Sequence, residues 1–115
     1  MFHAHVYFDP DQAIVAERFR QQIARERRDV IALFGLVPRR VGPHVKPMFE
    51  MHFRDNQHGL LEWLEENRGA LSVLIHPVSG DDAYDHQDDR IRWLGEPLGL
   101  NSHHFPLYTV SPLRR

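Results

Sequence analysis

From His3 to Phe8 the chain alternates between apolar residues and residues with a polar group, in the stretch "MFHAHVYFD" (Met1 to Asp9). Successive side chains of a strand point to opposite faces. The alternation therefore predicts a strand with Ala4, Val6 and Phe8 on one side and His3, His5 and Tyr7 on the other. The pattern then changes period. "DPDQ" has the marks of a helix start, with Asp9 as cap, Pro10 at the first helical position and Gln12 completing a capping box. The helix is predicted through "AIVAERFRQQIARERRD", with Val15, Phe19 and Ile23 as its buried stripe. A second strand falls within "VIALFGLVP", and Pro38 and the turn "VGPH" (Val41 to His44) separate it from a third in "KPMFEMHFR". There Phe49, Met51 and Phe53 alternate with Met48, Glu50 and His52.

Asn56 or Asp55 caps a second predicted helix, "QHGLLEWLEENRG", with Leu60, Leu61 and Leu64 inward and Gly69 as its stop. "LSVLIHP" is a fourth strand, with Leu71, Val73 and Ile75 facing away from Ser72, Leu74 and His76. An acidic loop, "VSGDDAYDHQDD", leads to a short helix expected around "RIRWLG". The tail "SHHFPLYTVSPLRR" holds a possible last strand. The order β-α-β-β-α-β plus a C-terminal extension predicts an α+β fold of the split βαβ, or ferredoxin-like, kind: an antiparallel sheet with both helices on one face. In that arrangement the first strand lies between the third and fourth. Four histidines (His3, His5, His52, His76) and Glu50 then share the face turned away from the helices.

Composition sharpens this picture. At 115 residues the chain is expected to be one domain, 1–115. Its formal net charge of -2 and the acidic residues beside "RERRD" argue against a nucleic-acid partner. The apolar runs are too short for a membrane span, and no basic lead precedes an apolar run at the N-terminus, so a cytoplasmic protein is expected. Cysteine is absent, whereas there are nine histidines. Any metal must therefore be held by nitrogen and oxygen, and imidazole serves both as ligand and as proton carrier near neutral pH.

Imidazoles buried together repel when protonated and leave unpaired nitrogens when dry, and a metal relieves both problems. His5 and His76 are the first candidate ligands, with His3 or Glu50 completing the set. Two histidines and one carboxylate is a pattern used by non-heme Fe(II) oxygenases. His44, in its turn, and His86, past the fourth strand, are candidate acid–base residues. Asp81, Asp82 and Asp85 read as helix caps, and one carboxylate could instead orient His86. His52 lies near its strand end and is left out; His58, His103 and His104 read as surface residues. Trp63 and Trp93 read as core or interface edge. The plain alternative is a solvated face on which histidines have no task.

Taken together, "HAHVYFD", "VGPH", "MFE", "RGALSVLIHPVSGDD" and "DHQDDRIRWLG" resemble the DOPA 4,5-dioxygenase family, in family order and from about residue 3 to 100. The resemblance implies a ferredoxin-like fold, often dimeric, and Fe(II)-dependent extradiol cleavage of a catechol such as L-DOPA by O2. Zinc or another divalent ion is possible in the purified protein. Carried residue by residue, it points to His3, His5, His44, His76 and His86. Val45 stands where the family often has proline, Ala83 replaces a larger aliphatic residue, and Gln87 replaces a threonine. These changes lie beside the candidate site and bear on which substrate fits. A non-catalytic, dimeric ferredoxin-like module binding a metal or small molecule is the alternative.

Overall fold

The structure is a computed structural model and describes residues 1–100. The predicted tail strand, His103 and His104 lie outside those residues. Strands β1 (Phe2–Tyr7), β2 (Val30–Leu33), β3 (Met48–Phe53), β4 (Val73–Pro77) and β5 (Arg92–Leu94) form one sheet in the order β2-β3-β1-β4-β5. All neighbouring pairs are antiparallel. Helices α1 (Ala13–Glu26) and α2 (Leu60–Asn67) are the two crossover helices, and α3 (Asp82–Asp85) is a single turn. The ferredoxin-like expectation holds, with β5 added beside β4.

The period-two pattern divides the sheet as the sequence predicts. Ala4, Val6 and Phe8 from β1 and its end, Phe49, Met51 and Phe53 from β3, and Leu71, Val73 and Ile75 from the β4 region are buried in one core. The helices close it with Ala16, Phe19, Ile23, Leu60 and Leu64. Trp63 packs on the edge of that core, stacked on Phe19 with ring centroids 6.0 Å apart. On the other face a smaller cluster of Tyr7, Met48 and Leu74 is covered by Val41, Ile91 and Trp93. No helix among the described residues is long and apolar enough to cross a membrane.

Three local expectations need correction. Val15 is 54% exposed, and Ala16 takes its place in the buried stripe. Ala16, Phe19 and Ile23 are spaced by three and four residues, and the small Ala16 lets the helix approach the sheet. The helix also ends at Glu26 rather than Asp29. Arg27 is extended there, and its guanidinium turns to Asp29 (3.0 and 2.7 Å) and the His58 carbonyl (2.9 Å). "RIRWLG" is a strand, not a helix. Leu94 enters the core and Trp93 the opposite cluster, because the free edge of β4 offers a ladder that a short run can complete. The short helix lies upstream, where Asp81 Oδ1 accepts from Tyr84 N at 3.1 Å.

Two helix boundaries follow their local chemistry. Gln12 Oε1 accepts from the Asp9 N–H at 2.8 Å across a 3-10 turn at Pro10–Gln12 that leads into α1. Asn56 Oδ1 accepts from Leu61 N at 2.8 Å ahead of α2. Gly69, at φ +60°, adopts the left-handed conformation that ends α2.

Candidate metal centre

Strand register builds the site in rows across the sheet face opposite the helices. His3 lies opposite His52 on β3 and His76 on β4, giving one row of imidazoles. His5 lies opposite Glu50 and Leu74, giving the next. Two loops bring further imidazoles over His5. In the turn from Val41, whose carbonyl accepts from His44 N at 3.1 Å, Gly42 adopts φ +55°. This places the His44 ring 4.2 Å from that of His5. The turn after α3 places the His86 ring 4.0 Å from that of His76 and 6.4 Å from that of His5.

One nitrogen from each of His3, His5 and His76 lies within 4.8 Å of the other two, and the same holds for His5, His44 and His86. The other five candidate residues of the sequence reading are gathered around His5. Glu50 stands to one side, 3.6 Å from His5 Nδ1 and 3.8 Å from His3 Nδ1. His86 is oriented by a backbone group, its Nδ1 donating to the Asp82 carbonyl at 2.7 Å. Asp85 is buried and accepts from Ser79 N at 2.8 Å, pinning the acidic loop.

Two residues escaped the sequence reading. His52 donates from Nε2 to Glu50 Oε2 at 2.5 Å, and its ring stacks on His3 at 3.6 Å with planes 7° apart. The signal was its period-two spacing from Glu50 on the same face. Tyr7 lies with its hydroxyl 2.6 Å from His44 Nδ1, and burial pushes its phenol up and keeps it neutral. Its partner is 37 residues away, so no local pattern announces the pair.

The protons on these rings disclose what the centre can hold. His76 Nδ1 lies 2.8 Å from the Pro77 carbonyl, which can only accept, so Nδ1 carries the proton and Nε2 presents a lone pair. His5 Nε2 is 2.9 Å from that nitrogen. His5 Nδ1 is buried with no hydrogen-bond partner and faces Glu50 Oε1. Neutral His5 has one proton to place. On Nε2 it satisfies His76 but turns a lone pair towards a carboxylate. On Nδ1 it faces Glu50 but sets two lone pairs against each other.

A second proton is opposed by burial and then by His44, His76, His86 and His3, which hold His5 well below 6.5. Burial and His86 likewise hold His76 at about 3, and burial and His52 lower His3. Neutral rings with converging lone pairs suit a divalent cation that accepts nitrogen, and the donor set fits such an ion.

Comparison with known proteins gives the chain a family. Residues 2–104 match the family model described as the Dopa 4,5-dioxygenase family. The chain belongs to this family. It is 29% identical over 114 residues to the DOPA 4,5-dioxygenase of Amanita muscaria, covering 92% of this chain and 50% of that protein. It is 32% identical over 111 residues to an "Uncharacterized 21.2 kDa protein" of Botryotinia fuckeliana, covering 87% of this chain and 60% of that one. The chain thus spans between half and three fifths of the length of these curated relatives. A solved structure of a "putative dioxygenase" from Nostoc punctiforme is 33% identical, with a TM-score of 0.77, covering 96% of this chain and 92% of that chain.

Proposed function

We propose that this protein is an extradiol dioxygenase that opens the ring of a catechol with O2 and Fe(II). The observation that carries the reading is the pair of facing nitrogens on His5 and His76, whose protons cannot be placed without leaving one lone pair against another acceptor. His5 and His76 would hold the ion, with His3 completing the set. When bound, Fe(II) supplies a Lewis-acidic, redox-active centre at which a catechol and O2 are activated together.

The chain's own residues supply the rest. His44 and His86 lie over His5 on the loop side, where an imidazole can take a phenolic proton and return it later. Tyr7 meets Nδ1 of His44 and holds that ring in place beside His5. Leu74 and Met48, buried under Val41, Ile91 and Trp93, form an apolar layer beside the imidazoles that excludes water. A cavity of about 460 Å³ opens at the His44 turn, lined by Arg40, Gly42, His44 and Val45. The name of the Amanita muscaria relative makes L-DOPA the first substrate to try. Zinc, which has no redox chemistry, would occupy the same nitrogens without supporting the oxidation. A homodimer is part of the proposal, since Ile31 on β2, at one edge of the sheet, and Phe34 just beyond it are about half exposed.

The test is anaerobic loading with Fe(II), followed by O2 and a panel of catechols including L-DOPA. A yellow semialdehyde absorbance is expected. His5→Ala and His76→Ala are expected to lose both the iron and the colour. Iron-loaded protein that stays colourless across the panel would overturn the reading in favour of a binding module.

A further inference from the structure

We infer that Glu50, clamped by His52, is a positioning residue that sets the tautomers of His3 and His5, rather than a ligand of the ion. The inference rests on the ligand set proposed above. Glu50 turns one oxygen towards each of two rings: Oε1 is 3.6 Å from His5 Nδ1, and Oε2 is 3.8 Å from His3 Nδ1. These separations exceed hydrogen-bond length. The carboxylate therefore acts through its field, favouring the tautomer that carries the proton on the near nitrogen. His76 already has its Nδ1 proton on the Pro77 carbonyl. All three rings would then have Nδ1 turned to an acceptor and Nε2 left for a cation. An outer carboxylate of this kind also raises the basicity of the ligand it faces.

Two further observations favour positioning over ligation. Glu50 Oε2 is engaged by His52 Nε2 at 2.5 Å. Among the described residues, the groups able to share one ion place Glu50 only with His3 and His52, never with His5 and His76. His52 is itself braced, stacked on His3 at 3.6 Å and packed by Phe34 at 4.9 Å on their ring centroids. The row Phe34–His52–His3 fixes the carboxylate and one of the rings that it faces. His52 thus belongs to the centre without reaching the ion.

The experiment uses Zn(II) as probe on the metal-free full chain, so no readout depends on a catechol or on turnover. Chelator competition gives affinity, metal analysis gives stoichiometry, and X-ray absorption gives the atoms bound to zinc. The wild type is expected to bind one Zn(II) per chain. Glu50→Gln should bind it about 10–100-fold more weakly, with the same number of imidazole and oxygen neighbours. Glu50→Ala should be weaker still, because Gln keeps one acceptor oxygen. His52→Phe keeps a ring on His3 but releases Glu50, and should lose less than Glu50→Ala.

Unchanged affinity in folded Glu50→Gln and His52→Phe would overturn the inference. So would the loss of one bound oxygen in Glu50→Gln, which would make Glu50 a ligand. A second ion in the wild-type chain that is lost in Glu50→Gln would give His3, Glu50 and His52 a site of their own and overturn it equally. A wild type that binds no zinc would sink the ligand set itself, a result distinct from these.

Discussion

His5 is 3% exposed, yet Glu50 faces one of its nitrogens and His76 the other. The chemistry proposed for this centre follows from that placement, and so do two measurements. His44→Ala should keep its metal and lose about a hundredfold or more in kcat, as expected for removal of an acid–base group. Tyr7→Phe should keep the metal too and lose roughly fivefold, the worth of a hydrogen bond of about 1 kcal/mol. Metal analysis beside steady-state kinetics checks both, and metal loss in either variant would contradict the assignment.

The depressed histidines also set a pH dependence. The unfolded chain binds protons as pH falls through 6.5, while folded His76 resists until about 3 and folded His5 and His3 are also lowered. The unfolded state therefore holds more protons in that window, and stability rises with pH. The Tm of the metal-free protein should fall as pH is lowered from above 6.5 towards 3, less steeply in His76→Leu. Equal slopes in a pH series of thermal melts would refute the assignment.

Among the elements, β1 and β3 were legible because a period of two over six residues leaves little choice of faces. β4 was legible through "LSVLIHP", where Leu74 and His76 alternate with the core residues Val73 and Ile75. "RIRWLG" was not, since three paired residues are too few to show a period, and the edge of β4 decided their state. Val15 was misplaced because it and Ala16 both fit helical spacing to Phe19, and only packing against the sheet chooses between them. The helices support the site indirectly, by burying the other face of the strands that carry it. Leu64→Ala, at a fully buried position of α2, should cost about 2–5 kcal/mol in denaturant unfolding. Zinc affinity of the folded variant should stay unchanged, because the lesion and the imidazoles lie on opposite sides of β1.

At the scale of the molecule, the gathering of His3, His5 and His76 could be read in advance, because strand order and alternation together place them on neighbouring strands. The His44–Tyr7 pair and the stacking of His52 on His3 could not, since they depend on a loop path and on ring rotation. Assembly is open to direct measurement. Ile31 and Phe34, 48% and 47% exposed, are expected to be covered by a second copy, so sedimentation should report a dimer. Ile31→Lys with Phe34→Lys should shift it towards monomer, whereas a wild type that sediments as monomer at micromolar concentration would remove dimerisation from the proposal.

β1 serves both sides of the sheet, with Ala4 and Val6 beneath the helices and His3 and His5 above. Removing a single residue between His3 and Val6 would exchange part of those assignments, driving imidazole into hydrocarbon and setting valine where nitrogen is required. A one-residue change here is therefore tolerable only with a bulge that restores the alternation, as the register shift between Val30 and Ala32 does in β2. Without one, a lineage would lose its shape and its chemistry in the same event.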